Sequence, residues 1–99
     1  MSSYYKLTAQ HVRHSSGYEV MSIDRFHIGY KDVYGYYEIE RELGWNPSIN
    51  KGCEYLFPLK MMKNGVAGAE ITDSERELVI SRVVDAIKFM DDFDVEVAS

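Results

Sequence analysis

Apolar and polar residues alternate along most of the first two thirds of the chain. A period of two is typical of β-strands with one buried face. On this pattern we predict strands over residues 4–13, 18–23, 25–30, 33–40, 55–59 and 66–71. The segments 18–23 and 25–30 form either one bent strand or two short ones.

Turn-forming residues separate these segments and favour hairpins between them. Residues 14–17 predict a turn, Lys31-Asp32 a tight connection, and Asn64-Gly65 is a pair that favours two-residue hairpin turns. Residues 43–52 are rich in Gly, Asn, Pro and Ser, which predicts an exposed loop anchored by Trp45. Pro58, near the end of the 55–59 segment, suits an edge strand or a strand end. The predicted sheet is therefore mostly antiparallel.

The last third of the chain predicts a helix and a closing strand. Thr72-Asp73-Ser74-Glu75 has the spacing of a capping box, so we expect a helix to begin at Asp73. The apolar face of this helix is formed by Val79, Ile80, Val83, Ala86, Ile87 and Met90. Residues 93–97 alternate again and predict a short last strand. The predicted fold class is α+β, with a mostly antiparallel sheet of about five to six strands against one C-terminal amphipathic helix.

Length and composition indicate one ordinary globular domain over residues 1–99. The chain is 45% hydrophobic and 27% charged, which excludes a disordered tail, and it contains no apolar run long enough to cross a membrane. The first residues lack the pattern of a secretion signal, and the single Cys53 leaves no partner for an internal disulfide. We therefore expect a cytoplasmic protein.

The charge balance argues against direct binding of nucleic acid. Acidic residues number 16 against 11 basic ones, for a net charge of −5, and they concentrate in the C-terminal third. Nucleic-acid-binding domains need a basic surface. A basic macromolecule is the better partner.

No residue pattern predicts a catalytic centre, a cofactor or a metal site. The three histidines, His11, His14 and His27, stand in strand or turn segments without a recognisable motif. His11 and His14 are three residues apart, but in a strand that runs into a turn their side chains diverge. Cys53 precedes an apolar strand, where a thiol is most often a small buried hydrophobic group. We expect a protein that is not an enzyme.

An acidic and aromatic hairpin is the strongest candidate for a binding surface. Alternation places Tyr34 and Tyr36 on the same side as Glu38 and Glu40, with Trp45 in the following loop. Tyr and Trp are preferred anchors of protein interfaces, and carboxylates beside aromatic rings suit Lys and Arg. The plain alternative is an acidic stripe that only faces solvent.

The chain resembles bacterial immunity proteins, which neutralise the toxins of contact-dependent growth inhibition and related polymorphic systems. The resemblance rests on the small acidic domain, the meandering sheet, the helix that begins at Thr72-Asp73-Ser74-Glu75 and the closing strand at residues 93–97, and it is clearest over residues 55–97. It implies a monomer that binds one cognate toxin domain, often a basic nuclease, in a 1:1 complex. The residues expected to bind this partner are Tyr34, Tyr36, Glu38, Glu40, Trp45, Asp91, Asp92 and Asp94.

Three other functions remain open on the sequence. A small-ligand module would enclose an apolar cavity lined by Tyr37, Phe26 and methionines. A small enzyme would expose His27 or Cys53 beside a carboxylate in a cleft. A self-associating protein would pair its edge strands between chains.

Overall fold

The computed structural model describes residues 3–66, 70–91 and 93–98, and within them a seven-stranded sheet packs one face against a single helix. The strands are β1 (Tyr4–Thr8), β2 (His11–His14), β3 (Glu19–Asp24), β4 (His27–Asp32), β5 (Gly35–Asn46), β6 (Lys51–Lys63) and β7 (Asp94–Val97), and the helix α1 (Asp73–Asp91) lies between β6 and β7 in the chain. Strands adjacent in sequence are adjacent in the sheet. All pairs are antiparallel except β6 and β7, which run parallel. The predicted α+β class and the short last strand are confirmed, with seven strands rather than five or six.

The core lies between α1 and one face of the sheet, which we call the inner face. Alternation sends every second strand residue into this layer. The fully buried residues of the strands include Val12, Val20, Ile28, Tyr30, Tyr37, Ile39 and Leu56. The predicted face of α1 is confirmed, because it buries Val79, Ile80, Val83, Ala86 and Ile87 and packs Met90 at the margin. We call the opposite sheet face the outer face.

The predicted capping box begins α1. The Glu75 N–H donates to Thr72 Oγ1 at 3.1 Å, and the Thr72 N–H donates to Glu75 Oε1 at 3.3 Å. The other carboxylate oxygen of Glu75 accepts from Lys63 Nζ at 2.6 Å and from the Tyr37 hydroxyl. Glu75 therefore joins the first turn of the helix to β5 and β6.

We expect Glu75→Gln to lower the free energy of unfolding at neutral pH but not in acid. Lys63 and Tyr37, by donating to the carboxylate, hold the pKa of Glu75 below its usual range. A carboxyl group of lowered pKa stabilises the fold above its unfolded pKa, and this contribution disappears as the pH falls through the folded pKa. Urea denaturation between pH ~7 and pH ~3 should show wild type and variant converging in acid.

Gln still completes the capping box, so the loss of stability in Glu75→Gln reports the contribution of the negative charge alone. The matched control is Glu77→Gln on the exposed side of α1, which should change stability little at any pH. A loss from Glu75→Gln that is equal at all pH values would contradict the assignment.

Residues 4–13, predicted as one strand, form the β1–β2 hairpin instead. The chain turns at residues 9–10, where the Gln10 N–H donates to Thr8 Oγ1 at 3.2 Å. The prediction was wrong because Tyr5 and Leu7 are half exposed, so their alternation with polar residues follows no continuous buried face. The 18–30 segment resolves into two strands, β3 and β4, one of the two alternatives predicted.

The connection predicted at Lys31-Asp32 lies two residues later. Both residues belong to β4, and the turn is formed by Val33 and Tyr34. The Asp32 carboxylate accepts the Tyr34 N–H at 2.8 Å, which closes the turn. The predicted hairpin between β4 and β5 is confirmed, with Tyr30 opposite Tyr37.

Residues 43–52, predicted as an exposed loop, are mostly strand. β5 continues to Asn46 and β6 begins at Lys51, so that only residues 47–50 form a turn. Gly52, one of the glycines that suggested a loop, serves close packing instead, whereas Gly44 has room for a Cβ. A Cβ on Gly52 would lie 2.7 Å from the Phe93 ring, and one on Gly44 would touch Tyr55 at 3.4 Å.

β6 is longer than the predicted 55–59 segment because Pro58 lies in a bulge rather than at a strand end. Glu38 pairs with Met62 and Glu40 with Phe57, so residues 58–61 of β6 stand opposite the single residue Ile39 of β5. A bulge accepts proline because a bulged residue need not donate to the ladder. Pairing resumes beyond it and β6 runs to Lys63.

The hairpin turn predicted at Asn64-Gly65 is confirmed, and the strand predicted after it is not. Asn64 and Gly65 have φ of 52° and 77°, and two positive values suit a two-residue hairpin turn. Val66 forms one isolated bridge to Lys63, and Ile71 belongs to no strand. Residues 67–69 of the predicted strand lie outside the described residues.

Candidate partner-binding surface

Two acidic residues flank one tyrosine across three strands of the outer face. Strand register places Glu42 of β5 opposite Tyr55 of β6, and Tyr55 opposite Glu96 of β7. All three side chains are exposed, and they alternate with the buried inner-face residues Arg41 and Glu54. The row therefore presents an aromatic ring between two carboxylates to solvent.

A second acidic and aromatic pair lies beside this row. Glu40 stands opposite Phe57 on the same face. Lys60 Nζ reaches Glu40 Oε1 at 3.5 Å and lies 5.6 Å from the centre of the Phe57 ring. We call Glu40, Glu42, Tyr55, Phe57 and Glu96 the acidic patch. The position of Lys60, between the Glu40 carboxylate and the Phe57 ring, shows that a basic side chain fits at this patch.

The electrostatics of the acidic patch favour a cation. Among the described residues neither Glu42 nor Glu96 forms an ion pair with a basic side chain. The pKa of the Tyr55 phenol is raised, first by the neighbouring Cys53 thiol, then by partial burial and the Glu96 and Glu42 carboxylates. Negative charge at Tyr55 is thus disfavoured. A partner's Lys or Arg would meet uncompensated carboxylates there.

A buried ion pair joins β5 and β6, two of the three strands that carry the patch. On the inner face, Arg41 of β5 donates to Glu54 of β6 at 2.5 Å, and both side chains are almost fully buried. Arg41 also donates to Ser22 Oγ at 2.5 Å and to the Asp24 carbonyl at 2.6 Å. Burial raises the pKa of Glu54 and Arg41 pulls it down. These contacts tie β3, β5 and β6 into a fixed platform.

The structure brings three of the predicted residues together on the outer face. The Tyr36 hydroxyl donates to Glu38 Oε1 at 3.3 Å, and Glu40 follows on the same side of β5. The Tyr36 ring is only partly free, because its hydroxyl lies against Gly29, where a Cβ would approach it to 2.9 Å. Glu38 and Glu40 thus continue the acidic surface, and Tyr36 packs over β4.

Tyr34 and Trp45 do not join this surface. Tyr34 lies in the β4–β5 turn and is 78% exposed. Trp45 lies on β5 rather than in a loop, at a position that alternation assigns to the inner face, and is 62% exposed. The predicted grouping of Trp45 with Glu38 and Glu40 is therefore wrong.

The three predicted aspartates have different places. Asp91 ends α1 and is half buried near Glu54, whose pKa it helps to raise. Asp94 lies on β7 two residues before Glu96, with Lys51 Nζ at 3.9 Å from its carboxylate. Asp92 lies outside the described residues. Of these, Asp94 stands closest to the acidic patch along the strand.

Sequence reasoning did not select Tyr55, Phe57 and Glu96 as binding residues. Tyr55 and Phe57 fall in the predicted 55–59 strand, and Glu96 falls in the predicted last strand. The signal was present, because both segments alternate. What the sequence lacks is the register that places Glu42, Tyr55 and Glu96 in one row.

The features expected of an enzyme or a ligand cavity are dispersed. Cys53 is buried, whereas His27 is partly exposed beside a carboxylate, with Nδ1 2.9 Å from Asp24, which also accepts the Phe26 N–H and so closes a turn. Phe26 and Tyr37 line separate depressions, of about 610 and 410 Å³. In the described ranges no three His, Cys, Asp or Glu side chains converge as metal ligands.

Comparison of the chain with protein-family models, with curated proteins and with solved structures finds no match. Over the part of the chain that the structure covers, α1 included, no helix is long and apolar enough to cross a lipid bilayer.

Proposed function

We propose that this chain is a protein-binding domain whose acidic patch receives a basic partner. The observation that carries the proposal is the row Glu42–Tyr55–Glu96, an aromatic ring between two carboxylates that lack basic partners among the described residues. Charge complementarity speeds encounter, and aromatic anchors lengthen the lifetime of a complex. The net charge of −5 acts in the same direction.

More specifically, we propose an immunity protein that neutralises a cognate toxin domain in a 1:1 complex. The resemblance of the sequence to immunity proteins of contact-dependent growth inhibition systems supports this assignment. A toxin that acts as a nuclease must carry a basic surface for its phosphate substrate. The carboxylates at Glu40, Glu42 and Glu96 would occupy the positions of phosphates and exclude the nucleic acid.

Charge reversal in the acidic patch should weaken binding to the product of the gene immediately upstream, where a cognate toxin is expected. We expect Glu42→Lys and Glu96→Lys each to weaken binding about tenfold at low salt, or ~1.4 kcal/mol, because each removes an attraction and adds a repulsion. Calorimetry at low and moderate salt measures this, and inhibition of the toxin's nuclease activity should fall in parallel.

Glu77→Lys is the matched control, since it makes the same charge change on the exposed side of α1. It should alter binding only through the weaker long-range field, which salt screens. Equal losses from all three variants would show that only net charge matters and would contradict the acidic patch. Absence of binding at micromolar concentrations would contradict the immunity function.

A further inference from the structure

β5 extends beyond the strand that pairs with it on one side. β4 covers β5 only from Gly35 to Glu40, opposite Asp32 and His27 respectively. The Phe26 carbonyl accepts one more bond, from the Arg41 N–H at 2.8 Å. β5 then continues to Asn46, paired with β6 alone. One side of residues 42–46 is therefore unpaired, although β5 is not an end strand of the sheet. We call this side the open edge of β5, and it lies next to the acidic patch.

The phase of the hydrogen bonds shows which backbone groups face this open edge. In an antiparallel ladder, N–H and C=O of alternate residues point to the same neighbouring strand. Arg41 donates towards β4, whereas the Tyr36 carbonyl accepts from Asn64 on the β6 side. Odd-numbered residues thus face the open side. Leu43 and Trp45 present N–H and C=O groups there, and no strand pairs with them in the described ranges.

The side chains beside the open edge differ between the two sheet faces. On the outer face, Glu40 and Glu42 line a depression of about 610 Å³ together with Phe26 and Phe57, and the basic residues Arg25 and Lys60 also border it. On the inner side, Leu43 is half buried and Trp45 is 62% exposed. An extended chain placed here would meet Glu42 and the Glu40–Lys60 pair on one face, with Arg25 at the margin, and apolar groups on the other.

We propose that the partner adds a β-strand to the open edge of β5, with basic residues alternating with apolar ones. The inference rests on the proposed function and specifies how the same surface binds. Main-chain hydrogen bonds to Leu43 and Trp45 supply register, as in other strand-addition complexes. The basic side chains, all on one face of the added strand, reach Glu40 and Glu42. The apolar ones meet Leu43 and Trp45.

The other two sheet edges fit such a segment less well. β1 carries no acidic residue among its five, and its only charged residue is Lys6. β7 has Asp94 and Glu96 on one side, but it is four residues long and Asp94 already has Lys51 at 3.9 Å. β1 has one exposed aromatic residue, Tyr5, whereas Phe26 and Trp45 are both exposed beside the open edge of β5, where Glu40 and Glu42 also lie.

Hydrogen exchange of individual amides tests the proposal on the full-length protein. The probe is a capped synthetic peptide in which Lys and Val alternate. At nine-tenths saturation we expect exchange at Leu43 and Trp45 to slow about tenfold, because only the free fraction exchanges. Protection at Val95 and Val97 instead would place the peptide on β7 and overturn the proposal. So would a lack of binding at millimolar concentrations.

Two variants separate the backbone from the side chain. Trp45→Pro removes the N–H at the open edge, whereas Trp45→Val removes the same ring and keeps the N–H. We expect Trp45→Pro to bind the peptide at least tenfold more weakly than Trp45→Val. Equal binding by the two would overturn strand addition. If Trp45→Pro unfolds, the same peptide N-methylated at its bonding positions tests the wild type, and undiminished binding would overturn it.

The failure of this inference is distinguishable from the failure of the proposed function. Binding of the upstream gene product that is sensitive to Glu42→Lys but equal in Trp45→Pro and Trp45→Val would keep the function and remove the strand addition. Loss of all binding to that product would remove the function itself.

Discussion

Replacing Arg41 with Met should destabilise the protein by about 3–5 kcal/mol, the range found when one partner of a buried ion pair is removed. The Glu54 carboxylate has no solvent exposure, and among the described residues Arg41 is the only basic side chain that pairs with it, at 2.5 Å. A loss of this size is a large part of the stability of a small domain. Urea denaturation measures it directly.

The loss should also depend on pH, with a definite sign. Burial already raises the pKa of Glu54, and Arg41 is what lowers it, so the pKa rises further in Arg41→Met. A group with a raised folded pKa favours the fold at low pH, and this contribution is lost as the pH rises through that pKa. The variant should therefore be closer to wild type at pH ~5 than at pH ~8.

The double variant Arg41→Met, Glu54→Leu should regain most of the lost stability, because apolar groups replace both charges. The control is Glu40→Gln, which breaks the exposed Lys60 pair and should cost at most about 1 kcal/mol. A double variant no more stable than Arg41→Met, or a loss that does not vary with pH, would refute the role of the charge pair.

Gly52→Val should destabilise the protein by about 1–3 kcal/mol, the usual cost of overpacking. A Cβ at Gly52 would lie 2.7 Å from Phe93 Cε1 and 2.9 Å from Cζ, and Phe93 packs on the core just before β7. The ring must therefore move, and the start of β7 with it. Thermal or urea denaturation should detect the change, with slower-exchanging amides of β7 becoming less protected.

Gly44→Ala is the matched control in the neighbouring strand, because its Cβ would meet only Tyr55, at 3.4 Å. It should leave stability within about 1 kcal/mol of wild type. In a Phe93→Ala background, Gly52→Val should cost less than in wild type, since the clash is gone. Equal costs in both backgrounds would show that Phe93 is not what Gly52 accommodates.

The sequence predicts best those elements whose signal is local. The capping box at Thr72 and Glu75 gives the first residue of α1, and Asn64-Gly65 gives its turn, because both depend on contacts within a few residues. The 43–52 segment was mispredicted because Gly44 lies within a strand and Gly52 is there to admit the Phe93 ring. A local pattern cannot distinguish that use of glycine from a turn.

The candidate site was predictable only in part for a related reason. Alternation along one strand correctly placed Tyr36, Glu38 and Glu40 on one face. The acidic patch also needs Tyr55 and Glu96, which strand register brings beside Glu42. Register across β5, β6 and β7 depends on the turn at residues 47–50 and on the path of α1, neither of which is encoded by the spacing of acidic residues.

The alternation of β5 also separates, within one strand, residues that maintain the fold from residues that do not. Tyr37, Ile39 and Arg41 hold the core, while Glu38, Glu40 and Glu42 face outward with no helix over them in the described structure. The outward side chains take no part in the core between the sheet and α1. The outward residues of β5 can therefore diverge during evolution while the inner residues, and with them the fold, are retained.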